Sequence, residues 1–495
     1  MSAEATAAPG GAPPPAPFPP ELKRVLAAVI LGSVMTFLDS TIVNVALRTL
    51  STTFDSSLAS IQWVVTAYLL ALAAVIPASG WLATRFGPRR VYTGSIVVFT
   101  LASVACGLAP NAASLIAFRA VQGAAGGLTT PVGQMILMRR SGPALMAKVM
   151  STIGIPTIMM PVIGPTVGGL ILDHIGWRWI FFVNLPIGAV AAYLAVRLLP
   201  ADTGGRAEAG KLDFTGLALV VLGSVGLTYG LAEIGTTGDA SSPRVLVSLI
   251  AGVVLLAGFV LRTLKVANPL VDLRLYRSPA YSASSLTTFT IGAAVFGAII
   301  LMPLYFQIVR GETTVRTGLL LVPQGSGAAI AIWRGARFID RFGSGPTAFL
   351  GGVVSIVATV PFVAIGAHTN YWYLGVAMVV RGFGIGICAL PAMTAAYRAV
   401  PPTKIGDATV QLSVLQRVGG SVGTAIFAVV LQNGLNDAHD VSRSAAAFGT
   451  AFWWVLGVAI AATLPTLLLT SAERKAARAA AAPAQTPHTP DRAPA

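Results

Sequence analysis

The chain has 495 residues, 55% hydrophobic and 10% charged, with a mean hydropathy of +0.77. A water-soluble domain of this length cannot bury so much apolar surface, so the composition excludes one and implies a helical protein that crosses a membrane many times. The net charge of +15 would suit a nucleic-acid partner, but the Lys and Arg residues gather in alternate loops. That asymmetry reports membrane topology and excludes nucleic acid as the partner.

Residues 1–21 are rich in Ala and Pro and lack a signal peptide's basic start and apolar core, so they read as a disordered cytoplasmic tail. The first span, Leu22–Leu47, carries Asp39, the acid expected deepest in the membrane. A carboxylate there costs several kcal/mol unless paired, wetted or protonated. Thr36 lies on its helix face, and Ser33, Ser40 and Asn44 form a second polar stripe. Such stripes must face other helices or a water-filled cavity. Span two, Ile61–Ala83, leads into Gly80-Trp81-Leu82-Ala83-Thr84-Arg85-Phe86-Gly87-Pro88-Arg89-Arg90. Gly87 and Pro88 force a tight turn, and its arginines can bridge to carboxylates of a neighbouring half in one state and release them in another.

Span three is Val91–Ala109. Span four, Ala113–Met138, holds Arg119 and Gln122 on one face, with Gly123 and Gly127 spaced for close helix contact. A buried Arg keeps its charge and needs a partner, and Asp39 is the nominated one. Span five, Val149–Leu172, has Pro156, Pro161 and Pro165 among Gly154, Gly164, Gly168 and Gly169, a pattern expected to bend or loosen the helix. Trp179–Val196, Phe214–Ala232, Val245–Leu261, Ala283–Ile308, Thr317–Trp333, Thr347–Ala367, Tyr371–Tyr397, Ala408–Leu431 and Ala445–Thr470 complete fourteen spans. An even count puts both termini on one side, and the basic loops make that side cytoplasmic. The outer loops carry Asp55, Asp239, Glu312, Asp437 and Asp440.

The chain also repeats. Thr84-Arg85-Phe86-Gly87 answers Asp340-Arg341-Phe342-Gly343, Arg119 answers Arg381, and Gly164-x-x-x-Gly168 answers Gly419-x-x-x-Gly423. Spans one to six therefore resemble spans nine to fourteen, with seven and eight inserted. The expected units are a tail (1–21), a six-helix bundle (22–199), two inserted helices (200–265), a second six-helix bundle with its leading loop (266–470) and a disordered tail (471–495). Two six-helix halves around a midplane site is a transporter plan.

Other chemistry has little to stand on. Cys106 and Cys388 sit in apolar helices as small hydrophobes. His174, His368, His439 and His488 lie at loops, helix ends or the tail. No metal-ligand spacing, catalytic triad or phosphate loop is present in the sequence, so no metal, no cofactor and no enzyme activity are expected. An adaptor that only recruits partners would not need buried charges.

Together the motifs resemble the major facilitator superfamily, specifically its fourteen-span drug:proton antiporters of the EmrB/QacA type. The resemblance is carried by Leu38-Asp39-Ser40-Thr41-Ile42-Val43-Asn44-Val45-Ala46-Leu47, by the Gly80–Arg90 turn, by Arg119–Gly123, by Gly164-Pro165-Thr166-Val167-Gly168-Gly169 and by Trp177-Arg178-Trp179-Ile180-Phe181-Phe182-Val183-Asn184-Leu185-Pro186-Ile187-Gly188. It extends from about Leu22 to Thr470. Thr84 stands where that family often has Asp, Met160 stands where it has Gly, and Asp407 is only at a helix edge.

The resemblance implies a monomeric antiporter in a bacterial cytoplasmic membrane, exporting small amphipathic compounds, cations included, against protons. Asp39 and Arg119 would couple the proton. Gly80, Thr84, Arg85, Gly87, Arg89, Asp340 and Arg341 would gate. Gly154, Pro156, Gly164, Pro165, Gly168 and Gly169 would form the antiporter helix, and Tyr68, Gln122, Gln307 and Gln324 would line the cavity, surrounded by membrane lipids. The alternative is a dedicated exporter of one self-made metabolite or a lipid.

Overall fold

The computed structural model describes residues 18–202, 213–237, 241–266, 269, 271–298, 300–436 and 438–481, and these are almost wholly helical. Residues 1–17 and 482–495 of the tails, part of the loop before the inserted helices and the outer-loop acids Asp239 and Asp437 lie outside the described residues, while 471–481, expected as disordered tail, continue the last helix. The helices in order are α1 (Pro20–Thr53), α2 (Leu58–Val75), α3 (Ser79–Phe86), α4 (Pro88–Gly107), α5 (Ala112–His174), α6 (Trp179–Phe182), α7 (Asn184–Leu198), α8 (Phe214–Thr237), α9 (Pro243–Lys265), α10 (Pro279–Ala298), α11 (Leu301–Leu304), α12 (Thr314–Phe342), α13 (Ser344–Val363), α14 (Tyr371–Arg398), α15 (Ile405–Asn436) and α16 (Val441–Ala481).

Local sequence sets many of these boundaries. Proline occupies an opening position in α1, α4 and α9, where its missing N–H costs nothing. Asn111 and Ser114 cap α5 reciprocally. Ser242 and Asn370 accept from the first free amides of α9 and α14. Gly87 (φ +93°) and Gly343 (φ +86°) make equivalent turns, each ending one helix and opening the next in a backbone region that L side chains avoid.

By length and composition, eleven helices among the described residues could cross a membrane. The 63-residue α5 stands apart from them. Its backbone leaves helical geometry only at Gly142 (φ 60°, ψ 170°), between the segments expected as spans four and five. The bend expected from the prolines of span five is not a break: the helix continues through positions 156, 161 and 165. A proline removes one ladder bond, which a membrane helix tolerates where neighbours supply polar contacts. The Thr41 hydroxyl of α1 donates to the Met160 carbonyl at 3.4 Å, tying this arm to α1 beside the prolines. The Pro156 side chain lies outside the described residues. A second irregularity is the π-helical turn Tyr305–Val309 after α11.

The helices pack in two groups. One gathers α1, α2, α4 and α7 with α5, and the other gathers α10 and α12–α16. α5 touches α12 and α15 across the divide, while α8 pairs with α9 and reaches both α2 and α15. Asp213 holds the α8–α9 pair together, accepting from Arg262 Nη2 at 2.8 Å. At the end carrying the start of α1, a single apolar core joins the groups: Leu22, Val25, Ala83 and Met135 pack in one cluster with Ile339, Tyr397, Ile405 and Val410. At the opposite end the cores are separate. One is built from Ile42, Leu50, Ile61, Trp177 and Phe181, the other from Tyr305, Phe306, Phe362, Phe427 and Phe448.

Candidate functional site

Asp39 is fully buried at the centre of a polar network inside the first group. Its Oδ2 accepts from Arg119 Nη1 at 2.6 Å. Its Oδ1 accepts from Gln122 Nε2 at 2.9 Å and from Asn184 Nδ2 at 2.8 Å. Arg119 Nη1 also donates to Gln122 Oε1 at 2.8 Å and Nε to the Val64 carbonyl at 3.1 Å. The guanidinium stacks over the Tyr68 ring, 4.0 Å from its centroid. Asn184 Nδ2 continues the network to Ser103 Oγ at 3.0 Å. α5 and α7 thus donate directly to the carboxylate of α1, and α2 and α4 join the network through Arg119 and Asn184, which keeps a buried charge tolerable because partner and hydrogen bonds are both present.

Small residues make this convergence possible. Gly123 of α5 lies where a Cβ would strike the Tyr68 carbonyl oxygen, so α5 and α2 meet backbone to backbone beside Arg119. Gly164 and Gly168, in the later arm of α5, lie against Thr41 and Ile42 of α1, just past Asp39. Gly154 and Gly169 of the same arm face Ile332 and Val315 of α12 in the other group, and Pro165 is half-buried between them. The arm is therefore held between the carboxylate-bearing helix and the opposite half.

Two expected cavity residues are elsewhere. Tyr68 and Gln122 are both 0% exposed, because Arg119 and Asp39 take them as a stacking surface and a hydrogen-bond partner. Gln307 is exposed in the π-helical turn, and Gln324 is half-buried in α12.

The turn after α3 also differs from expectation. Gly80 packs α3 against Val410 and Gly406 at the start of α15, but Thr84 bonds back to the Gly80 carbonyl of its own helix at 3.0 Å. The carboxylate at this turn is Asp202, from the segment after α7 rather than from the other half. It accepts from the Arg89 amide at 2.9 Å and the Arg90 amide at 3.2 Å, capping α4. The Arg89 side chain donates to the Val196 carbonyl, and Arg85 is exposed. The second turn repeats this device. Glu473 of α16 accepts from the Gly345 amide at 2.7 Å, while Asp340 and Arg341 are exposed. Beside the α15 start, Lys404 bridges Asp272 at 2.9 Å and Asp407 at 3.4 Å. Burial alone would raise the Asp272 carboxyl, but the Lys404 ammonium and the Arg274 amide outweigh it and hold it below its ordinary value.

The repeat is real, with one pairing corrected. Gly382 meets the Gln324 carbonyl as Gly123 meets that of Tyr68, and Gly386 meets Ala328 as Gly127 meets Leu72. Arg381 precedes Gly382 as Gln122 precedes Gly123, so Arg381 takes the place of Gln122, not of Arg119. In the sequence the two arginines are the conspicuous pair; the backbone contacts align the glycines instead. Sequence reasoning also missed Asn184, Asp202 and Arg417. Asn184 had one signal, a polar residue between Val183 and Leu185 at the opening of an apolar helix. Arg417 had another, a basic residue in the middle of the apolar α15.

The match to the Major Facilitator Superfamily family model spans residues 29–424. The chain belongs to the major facilitator superfamily. It is a multi-pass membrane transporter and not an enzyme. It is 36% identical over 427 residues to a multidrug resistance protein B homolog of Mycobacterium tuberculosis, covering 86% of this chain and 78% of that one. It is 35% identical over 433 residues to a methylenomycin A resistance protein of Streptomyces coelicolor, covering 86% and 89%. In three dimensions it resembles the human organic anion transporter MFSD10 (TM-score 0.62, 15% identity, 91% of this chain and 100% of that one). It also resembles the proton:xylose symporter XylE (TM-score 0.63, 13% identity, 90% and 94%). At these identities the structural likenesses speak for the fold alone.

Proposed function

We propose that the chain is a drug efflux transporter of a bacterial cytoplasmic membrane, exporting amphipathic compounds in exchange for protons that load on Asp39. The relatives' resistance names support the drug cargo. The observation that carries the coupling is the buried Asp39–Arg119 pair with its Gln122 and Asn184 bonds. Protonation removes the negative charge that holds Arg119, so the network must rearrange, and α5 carries that change to α12 through the Gly154 and Gly169 face. Two six-helix halves with α8 and α9 inserted fit this plan. Fourteen crossings result if the two arms of α5 on either side of Gly142 and α10 span along with the eleven apolar helices. The basic loops put both termini, and the shared core, on the cytoplasmic side, which makes the structure a cytoplasmically closed state with its cleft toward the outside.

Everted vesicles carrying a respiration-driven proton gradient test the exchange. Cationic, neutral and anionic amphipathic compounds are added in turn, and at least one should dissipate the gradient in vesicles with the transporter and leave it in vesicles without it. Uptake of the compound that persists at full rate after an uncoupler collapses the gradient excludes proton exchange.

A further inference from the structure

Positive charge inside the second half is not balanced. Arg381 is 2% exposed. Its only hydrogen bond among the described residues is from Nη1 to Gln324 Oε1, at a long 3.5 Å, and its Nε has no partner. Arg417, half-buried midway along α15, makes no hydrogen bond or ion pair among the described residues. The helix that carries it packs on α5 of the opposite group, and its charge is felt at Tyr68 of α2, also in that group.

The first half answers its arginine with Asp39, but the second half has no such acid. Gly419 and Gly423 press on Phe289 and Ala293 of α10 as Gly164 and Gly168 press on α1. That stretch of α10 carries Thr287, Thr288 and Thr290 and no carboxylate. The described acids of α10–α16 sit near helix ends: Asp340 at the end of α12, Asp407 beside Lys404, and Glu473 on the Gly345 amide.

A guanidinium offers five N–H donors and does not lose its proton. Held in a membrane interior without an anion, it is costly. Among the described residues no acid supplies the compensating charge, which leaves it to a bound group. A bidentate oxyanion is the group whose shape matches the arginine fork.

We infer that Arg417 receives the anionic group of an amphipathic substrate: a carboxylate, sulfonate or phosphate on an apolar body. This rests on the exporter reading and names its cargo, in place of the cations expected from the family resemblance. A cation would meet the uncompensated Arg417, and Asp39 is already neutralised by Arg119.

The test compares two fluorescent probes that share a ring system, 8-anilinonaphthalene-1-sulfonate and its neutral analogue N-phenyl-1-naphthylamine. Binding to the purified full-length transporter is titrated in phosphatidylcholine nanodiscs, with empty discs subtracted. The wild type should bind the sulfonate at least about tenfold more tightly, the worth of a charge-assisted hydrogen bond. Arg417→Gln should erase that preference while leaving the neutral probe's affinity in place, Arg417→Lys should keep part of it, and Arg381→Gln should weaken it less than Arg417→Gln. Equal or tighter wild-type binding of the neutral probe overturns the assignment, and so does an unchanged preference in Arg417→Gln. Discs containing phosphatidylglycerol distinguish a lipid source. A sulfonate affinity within threefold of that in phosphatidylcholine discs supports cargo, whereas its loss means that a lipid phosphate holds Arg417 and overturns the cargo assignment. No gradient is applied, so failure here is separate from failure of the proton-exchange assay.

Discussion

At the scale of single residues, the Asp39 network makes a definite statement about substitution. Asp39 accepts on both oxygens, from Arg119 on one side and from Gln122 and Asn184 on the other. Asparagine keeps one acceptor and turns an NH2 toward former donors. Asn184 can absorb this, because its Oδ1 has no partner and a flip would offer it to the new amide. Asp39→Asn is therefore expected to fold, with a loss of about 1–3 kcal/mol, less than the roughly 3–5 kcal/mol of a broken buried pair left uncompensated. It should bind substrate yet accumulate none against a gradient, and Asp39→Glu should retain some pumping. Melting temperature and vesicle transport check the two halves of the claim, and wild-type pumping with wild-type gradient dependence in Asp39→Asn removes Asp39 from the coupling. That Asp39 and Arg119 meet was legible, because a membrane interior leaves a lone acid and a lone Arg few other options. Asn184 was not, since its bond to Asp39 crosses 145 positions and its own neighbourhood reads as a helix start. Arg417 escaped for the same reason: an arginine's sequence neighbours do not reveal which side of a helix meets the opposite half.

At the scale of elements, the two turn motifs are built alike, each with a carboxylate that caps the backbone of the following helix. The glycine at each turn was legible from Gly-Pro and Gly-Ser after an apolar helix. The carboxylates that cap the following helices were not, because Asp202 and Glu473 come from the far end of each six-helix unit. Thr84 marks the difference from the family pattern. It lies one turn past Gly80, which packs on Gly406 and Val410 at the N-terminus of α15. A carboxylate at position 84 would face the positive end of that helix dipole, a gain of about 0.3–1 kcal/mol for the state in which α3 and α15 touch. Thr84→Asp should therefore slow modification of a cysteine placed at Val410, which is 2% exposed in this state. Faster modification than in the Thr84 parent would show that the contact between α3 and α15 is not the gate. Span five gives the complementary lesson. Its prolines were expected to bend or loosen it; the backbone stays helical through them, packed on α1 and α12, and leaves helical geometry at Gly142.

At the scale of the whole molecule, the arrangement of the apolar cores links topology to conformational state. One core joins both helix groups at the end where α1 starts, and two cores stand apart at the other. In the proposed topology the joined end lies in the cytoplasm, because Lys and Arg resist translocation across the membrane. Three labelling positions then test orientation and closure together, in a background where Cys106 and Cys388 are replaced by alanine. Cysteines at Thr6 and Ala479, one in each tail, should react with a membrane-impermeant maleimide only in everted vesicles. A cysteine at Asn44, exposed on α1 beyond Asp39, should react from outside intact cells, because the cores part on that side. Labelling of either tail from outside removes the even count of crossings or reverses the orientation. An Asn44→Cys that reacts only in everted vesicles, with both tails inside, would leave the topology standing and show that the resting transporter opens toward the cytoplasm. Adding substrate should slow the Asn44→Cys reaction, since an occupied cleft must close outside before it can open inside.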